Sequence, residues 1–554
     1  MNAVAERSSR ERLARSSAVV ATGTLLSRVT GLLRVAVLAY ALGKASLADT
    51  YNLANNTPNI VYELVLGGVL TATLVPLFVD HLANHDERAT SAVFTVAMTA
   101  LTALTVVAMA CAPLIARLFA LGASGSERSA QTYVLVLFTL CFLPQMLFYG
   151  FTTLATAVLN ARRRFLAAAY VPVVNNIVVI VILLVFAANT SGSASSWTDV
   201  TRIRHDLGYL LLLGLGTTAG IAAMALALVP ALRHAGIHLR PVFAWTHPAV
   251  RTMIRLSGWT VGYVVTNQLA LLFVLMLAKS GDIGNVSAYI YSYAFYQVPH
   301  GLLAVSIMTT MTPEFARRVT ANDTLGLRRD FSAGLRYLIV LVLPASVLFI
   351  VLAQPMVGVL AHGRFGTHDA TVTADTLQAF AISLLAFSVY LYAMRAFYAL
   401  HDTRTPFLLN LFENGVNVVV AVAIFGTLGV QGLALAWSAA YFVAAAATLW
   451  ALRRRVGPVI DAGVRRTTLR AAIGSVALAA VAAPVAGAIG RDTAARAIGA
   501  TVLGTAVGAA AYVLVMFLLR ADEFGALIAA LRGNRSGGDE PVIAVRADEP
   551  GGDS

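Results

Sequence analysis

Ser27-Arg28-Val29-Thr30-Gly31-Leu32-Leu33-Arg34 lies inside an apolar run from Ala18 to Leu42 that is long enough to cross a bilayer. An arginine at the centre of a membrane helix costs roughly 2.5–3.5 kcal/mol on an insertion scale, so two of them need a reason. Thr24, Ser27, Gly31 and Arg34 recur at about 3.5-residue spacing, with Arg28 beside Ser27, and form a polar stripe on an otherwise apolar helix. Gly31 leaves space between the guanidiniums for a ligand or a partner backbone. The planar fork of arginine suits a phosphate or diphosphate. An internal ion pair with Asp49 or Glu63 is the alternative. The two are compatible if the acids satisfy the arginines between ligands.

The remainder of the chain is written for a membrane. Of 554 residues, 58% are hydrophobic and only 12% charged, with a mean hydropathy of +0.76. Soluble domains sit near half apolar and a quarter charged. Runs of about 20 apolar residues recur along the sequence and predict an all-α polytopic membrane protein with about 14 transmembrane helices. A polar segment at 1–17 precedes spans 1–6 (18–232), spans 7–12 (233–452) and spans 13–14 (453–520), and a largely disordered tail at 521–554 ends the chain. The first run is too long for a signal-peptide core and no clear cleavage site follows it, so it reads as a retained span.

The net charge of +13 comes almost wholly from arginine; Lys44 and Lys279 are the only lysines. About 25 cations fall in segments predicted to lie inside, against nine outside, which places both termini in the cytoplasm. Basic residues in short loops between spans do not make a nucleic-acid stripe. The loops have no room for a soluble catalytic domain, no Walker-type phosphate loop occurs, and the ten histidines show no metal-ligand spacing. The expectation is a transporter rather than an enzyme, with no cofactor and no direct ATP coupling. Cys111 and Cys141 each fall within a span and read as small buried residues.

Span two opens with Asp49, Asn52, Asn55, Asn56, Thr57, Pro58 and Asn59, then Tyr62-Glu63. Pro58 should break or kink the helix, and the stretch reads equally as a cavity wall or as a kinked outer end. Counted back from Pro76 and Pro313, Thr73 matches Thr310 and Phe78 matches Phe315. A six-span unit used twice, its halves facing each other across a central site, explains the match. In span eleven Asn410, Glu413 and Asn417 share one face beside Asn414, and span seven carries Asn267-Gln268. An acid among amide oxygens can hold sodium or take up a proton; interhelical hydrogen bonding is the alternative. Arg395, inside span ten, is either a further cavity cation or a side chain snorkelling to the inner surface. His300 reads as structural.

Ser27-Arg28-x-x-Gly31-x-x-Arg34, Ala48-Asp49, Pro58-Asn59, Pro76 and Tyr398-x-x-x-Asp402-x-Arg404-Thr405-Pro406, with the fourteen-span layout, resemble the MurJ (MviN) family across essentially the whole chain. These are bacterial lipid II flippases of the multidrug/oligosaccharidyl-lipid/polysaccharide exporter superfamily. The resemblance implies two six-helix lobes around a cationic cavity in the bacterial plasma (inner) membrane, with a lipid groove along spans 13 and 14. It implies a polyprenyl-diphosphate-linked saccharide as substrate, with cell-wall synthesis and division proteins as candidate partners. It also implies that Ser27, Arg28, Arg34, Asp49 and Ser287 line the cavity; Asn59, Glu63, Gln297 and Arg395 are further candidate polar residues of its wall, read from this sequence itself. Tyr62, Glu63, Ala294 and Gln297 stand where the family carries arginines and an acid. Another lipid-linked glycan, a small-molecule export substrate, or a non-transporting scaffold of the cell-wall machinery are therefore the rival readings. Coupling to sodium, protons or membrane potential is left open.

The topology is testable by thiol labelling in a cysteine-free background. Ser193→Cys is expected to react with an impermeant reagent on intact cells, and Ala321→Cys only after permeabilisation; the reverse pattern would invert the assignment.

Overall fold

The computed structural model describes residues 2–63, 87–119, 125–162, 164–190, 197–237, 241–243, 258–521 and 523. Gly67-Gly68, Thr73 to Phe78, Arg255 and the tail beyond 523 lie outside the described residues. In the first half, α1 (Asn2–Leu42), α2 (Ser46–Tyr62), α3 (Glu87–Ala110), α4 (Ala112–Phe119), α5 (Gly125–Phe142), α6 (Gln145–Ala161) and α7 (Phe165–Asn189) come in turn. The single turn α8 (Val200–Ile203), α9 (Leu207–Leu226) and α10 (Leu228–His234) complete it. The second half holds α11 (Gly258–Lys279), α12 (Asn285–Pro299), α13 (Val305–Thr320), α14 (Thr324–Gly358), α15 (Thr367–Ala381), α16 (Leu384–Ala399) and α17 (Arg404–Val456). After these come α18 (Ala462–Ile489) and α19 (Ala494–Leu518).

Among the described residues, ten helical stretches are long and apolar enough to cross a membrane, and α15 with α16, bent by 45°, makes eleven. Two more expected spans are hidden by breaks, and the rest of span two lies outside the described residues. At 1.5 Å per residue, the 53 residues of α17 would run about 80 Å, far beyond a hydrocarbon core of about 30 Å. It is two spans. Gly429 takes φ 54° and ψ −137°, conformations open to glycine, and kinks the helix there. Near this kink Gln431 donates to Asp375 (3.3 Å) and Phe425 packs on Gly281, whereas Arg328 contacts Gly457 just past the helix's far end. Span eight is broken as well. Pro299 has no N–H to give, and a π-helical turn at His300–Ala304 separates α12 from α13.

Two sequence expectations change here. α2 runs through Pro58 without a break, and Asn56 and Thr57 bond back to the carbonyls of Asn52 and Leu53. Cys141 is buried, but Cys111 is exposed at the one-residue break between α3 and α4.

α1 packs on α7, which also receives α9; α2 packs on α5. In the second half α11 lies along α17 and α12 against α15, and α18 and α19 pair with each other against α14. The halves meet where α2 faces α12. Gly284 precedes α12 with φ 88°, so the helix begins without a side-chain cap of its own. Asp49 from the other half supplies one. Its Oδ2 accepts from the Gly284 N–H (2.7 Å), and its Oδ1 accepts from the Ser287 N–H (2.9 Å) and hydroxyl (2.8 Å). Asn52 donates to Ser287 Oγ (3.2 Å), and Lys279 Nζ stands 3.9 Å from the Asp49 carboxylate. An anion at a helix N-terminus also meets the positive end of the helix dipole. Asp49 and Ser287 are thus fully buried in a seam between the halves rather than open to a cavity, and the ion-pair partner of Asp49 is Lys279, not an arginine of α1. The reason is geometric: the first turn of α2 points across the molecule at the start of α12.

Asp49→Ala leaves two buried N–H donors without this acceptor, at about 1–3 kcal/mol each. A lowered melting temperature of the purified protein is expected, with Asp49→Asn intermediate; an unchanged melting curve would show that the seam does not carry stability.

Candidate functional site

Local bonds set which way the arginine-bearing helix faces. Asn176 of α7 donates from Nδ2 to Thr30 Oγ1 (2.9 Å) and to the Ser27 carbonyl (3.3 Å). A β-carbon on Gly31 would lie 3.7 Å from that same nitrogen, an ordinary contact, so Gly31 faces α7 at this point. Ser27, Thr30 and Gly31 therefore lie against α7, and Arg34 follows further along the same stripe.

Arg28 is exposed, and its guanidinium reaches the other half. A β-carbon on Gly301, in the π-helical turn, would lie 3.0 Å from it. Arg34 is half-buried and acts electrostatically on Tyr51 and Tyr149. The Tyr51 hydroxyl bonds Thr217 (2.7 Å), and Asn59 bonds Tyr149. Neither Arg28 nor Arg34 is in an ion pair among the described residues, so the predicted pairing with Asp49 or Glu63 is not made. Glu63, half-buried at the end of α2, lies beside Tyr62, whose hydroxyl donates to Thr153 (2.8 Å). Gln297 donates to the Tyr293 hydroxyl one turn back on α12.

Arg395 is exposed on α16, and both it and Arg28 act on His300. The His300 ring packs on Phe387 at 4.6 Å, and its Nδ1 is 3.0 Å from Ser388 Oγ. Cations from the two halves thus converge on the π-helical turn of span eight. A Cβ at position 301 would close that approach. Such a grouping can take a multivalent anion, and the absence of paired carboxylates among the described residues leaves the charge available.

The second polar group lies inside the second half. Asn410 and Asn414 both donate to Asn267 Oδ1 (3.0 and 2.9 Å), and Asn414 also donates to Glu413 Oε2 (2.8 Å). All four span-eleven residues are buried. Asn410 Oδ1, Glu413 Oε1 and Asn417 Oδ1 have no hydrogen-bond partner. Three acceptors without a donor are costly in a low-dielectric interior. Interhelical bonding accounts for the amide nitrogens and leaves these oxygens unexplained.

The halves repeat this link. Thr30 and Asn267 stand in the same register as Thr73 and Thr310, and Asn176 bonds the first as Asn414 bonds the second. Asn175 precedes Asn176 as Glu413 precedes Asn414, so the carboxylate is confined to the second half. Sequence reasoning does not single out Asn176 or Lys279. An asparagine pair inside an apolar span is the available signal for the first; a lysine at a span end gives none.

The sequence profile of the family described as "Lipid II flippase MurJ" matches residues 38–520. A probable lipid II flippase MurJ of Vibrio cholerae serotype O1 is 26% identical over 443 residues, 78% of this chain and 81% of that one. The lipid II flippase MurJ of Burkholderia cenocepacia is 27% identical over 404 residues, 71% and 75% of the two chains. Among solved structures, a lipid II flippase MurJ in an inward closed conformation superposes with a TM-score of 0.70 at 19% identity, covering 92% of this chain and 99% of that one. An inward-facing multidrug resistance MATE transporter of the MOP superfamily gives a TM-score of 0.63 at 16% identity, over 78% and 95%. The two structures share the fold, and the profile match spans most of the chain, from the end of the first expected span through the fourteenth: the protein belongs to the lipid II flippase MurJ family.

Proposed function

We propose that the protein moves lipid II, the polyprenyl-diphosphate-linked precursor of peptidoglycan, across the inner membrane by alternating access, with both termini cytoplasmic. The observation that supports this most is the pair Arg28 and Arg34: two cations on one membrane helix, in no ion pair among the described residues, one of them reaching across to Gly301 of the other half. A diphosphate supplies the charge they lack, and lies where both halves sense it. The head group then sits between the halves while the lipid tail follows α18 and α19. Neutralising Arg28 and Arg395 removes repulsion across the halves, and drives closure only to the extent that the two states bind the lipid differently. Asn59, Glu63 and Gln297 contribute polar contacts on the wall. The seam at Asp49 and Ser287 closes the outer side while the inner side loads.

The buried group on α17 is proposed as the coupling site. Asn410, Glu413 and Asn417 present three oxygens without a hydrogen-bond partner on one face; a sodium ion there would take them as ligands, and a proton would sit on the Glu413 carboxylate. A hard cation taking oxygen ligands fits this donor set, and such a site inside one half biases how that half packs.

Arg34→Ala and Arg28→Ala are each expected to abolish rescue of a strain depleted of its lipid II flippase at unchanged protein level, with Arg34→Lys keeping part of the function. Full rescue by both alanine variants would refute the role of the pair. For the coupling site, sodium is expected to raise the melting temperature of the purified protein, and Glu413→Gln to remove that rise. If sodium has no effect on the unaltered protein while acid protects it and Glu413→Gln mimics acid, the coupling cation is a proton. No response to either would overturn the site.

A further inference from the structure

The seam at Asp49 uses an anion at the start of a helix. A second contact between the halves uses a cation at the ends of two others. Arg364, in the loop between α14 and α15, donates from Nη1 to the Ala41 carbonyl (2.7 Å) in the last turn of α1. From Nη2 it donates to the carbonyl (2.7 Å) and hydroxyl (2.8 Å) of Thr190, which caps the C-terminus of α7. Its backbone N–H donates to the Tyr40 carbonyl (3.2 Å), and its guanidinium lies 5.5 Å from the Phe186 ring centroid.

Carbonyls in the last turn of a helix have no partner within the helix, and they form the negative end of its dipole. One arginine of the second half therefore serves the C-termini of two spans of the first. Burial lowers its pKa from the ordinary arginine value, so the carbonyls are needed to hold the charge there. The approach depends on glycines with left-handed backbones on both sides. A β-carbon on Gly43 (φ 67°) would fall 2.4 Å from the Arg364 carbonyl oxygen, and one on Gly363 (φ 64°) would fall 2.5 Å from the Tyr40 ring. Gly284, beneath the Asp49 contact, meets Lys44 in the same way.

We propose that Arg364 is a second latch of the outer seam, holding the halves together on the outer side and releasing the ends of α1 and α7 when that side opens. The inference rests on alternating access but not on which lipid is carried. Asp49 and Arg364 engage different helices with opposite charges, so removing either one weakens closure without removing the other. Opening on the outer side then needs both charges to find water.

Electron–electron distance measurement between spin labels on the exposed loop residues His205 and Ile283, in a cysteine-free background and without added lipid, tests this directly. The parent protein is expected to give mainly one short distance. Arg364→Ala is expected to add a longer one, raising the open-to-closed ratio about tenfold for the loss of charge-assisted hydrogen bonds. Arg364→Lys, which keeps the charge but not the fork, should fall between. Should the alanine variant not purify, Arg364→Gln is measured in its place. A distance distribution unchanged in the alanine or glutamine variant, even with a lowered melting temperature, would make Arg364 a structural residue only and overturn the latch. Because no lipid is present, that outcome leaves the substrate assignment untouched.

Discussion

The carboxylate of Asp49, buried at the start of a helix that belongs to the other half of the chain, is the contact on which the arrangement depends. In a bilayer protein no hydrophobic drive holds two helical halves together, because lipid is as apolar as their surfaces. Polar contacts must then decide how the halves meet. An unpaired carboxylate away from water is expensive, and so are the first N–H groups of a helix. Placed together, each removes the other's cost. The contact is strong while it is made and can be given up when water enters, which suits a surface that has to part.

With the halves joined in this way, the cations of α1 are left without an acid partner among the described residues. Asn176 ties α1 to α7 at Ser27 and Thr30, while Arg28 reaches the π-helical turn and Arg34 acts on Tyr51 and Tyr149. No carboxylate pairs with them among the described residues. A charge that is stable only when a ligand arrives is how a transporter can bind an anion without holding its own acid in the way. The opposite imbalance is seen at Glu413, where the surplus is of buried acceptors without a hydrogen-bond partner.

Much of this was legible in residues alone. Two arginines in an apolar run, and a density of such runs far above that of soluble proteins, lead to a polytopic helical protein with cations inside a span. The repeat of Thr73 and Thr310 pointed to two equivalent halves, and the same register later pairs Thr30 with Asn267. The pattern of span eleven marked Asn410, Glu413, Asn414 and Asn417 as a group because their spacing puts an acid and amides on one helical face. Less legible was which polar residues meet. Asp49 and Ser287 read as cavity residues because a polar side chain within a span invites that inference, and nothing local to either says that they cap and bond one another.

Sequence by itself determined the class of the molecule, the number and order of its spans within the limits of hydropathy, and the chemistry its charges could serve, because these follow from transfer energies that each residue carries with it. Tertiary structure alone decided the partners. Whether Asp49 meets Arg34 or Lys279, whether Arg364 faces water or the ends of α1 and α7, and whether Glu413 is satisfied by its neighbours all depend on how helices far apart in the chain are brought side by side. The physical reason is the range of the interactions. Burial is summed residue by residue along a span, whereas a hydrogen bond or ion pair exists only within a few ångströms of a partner that the sequence does not name.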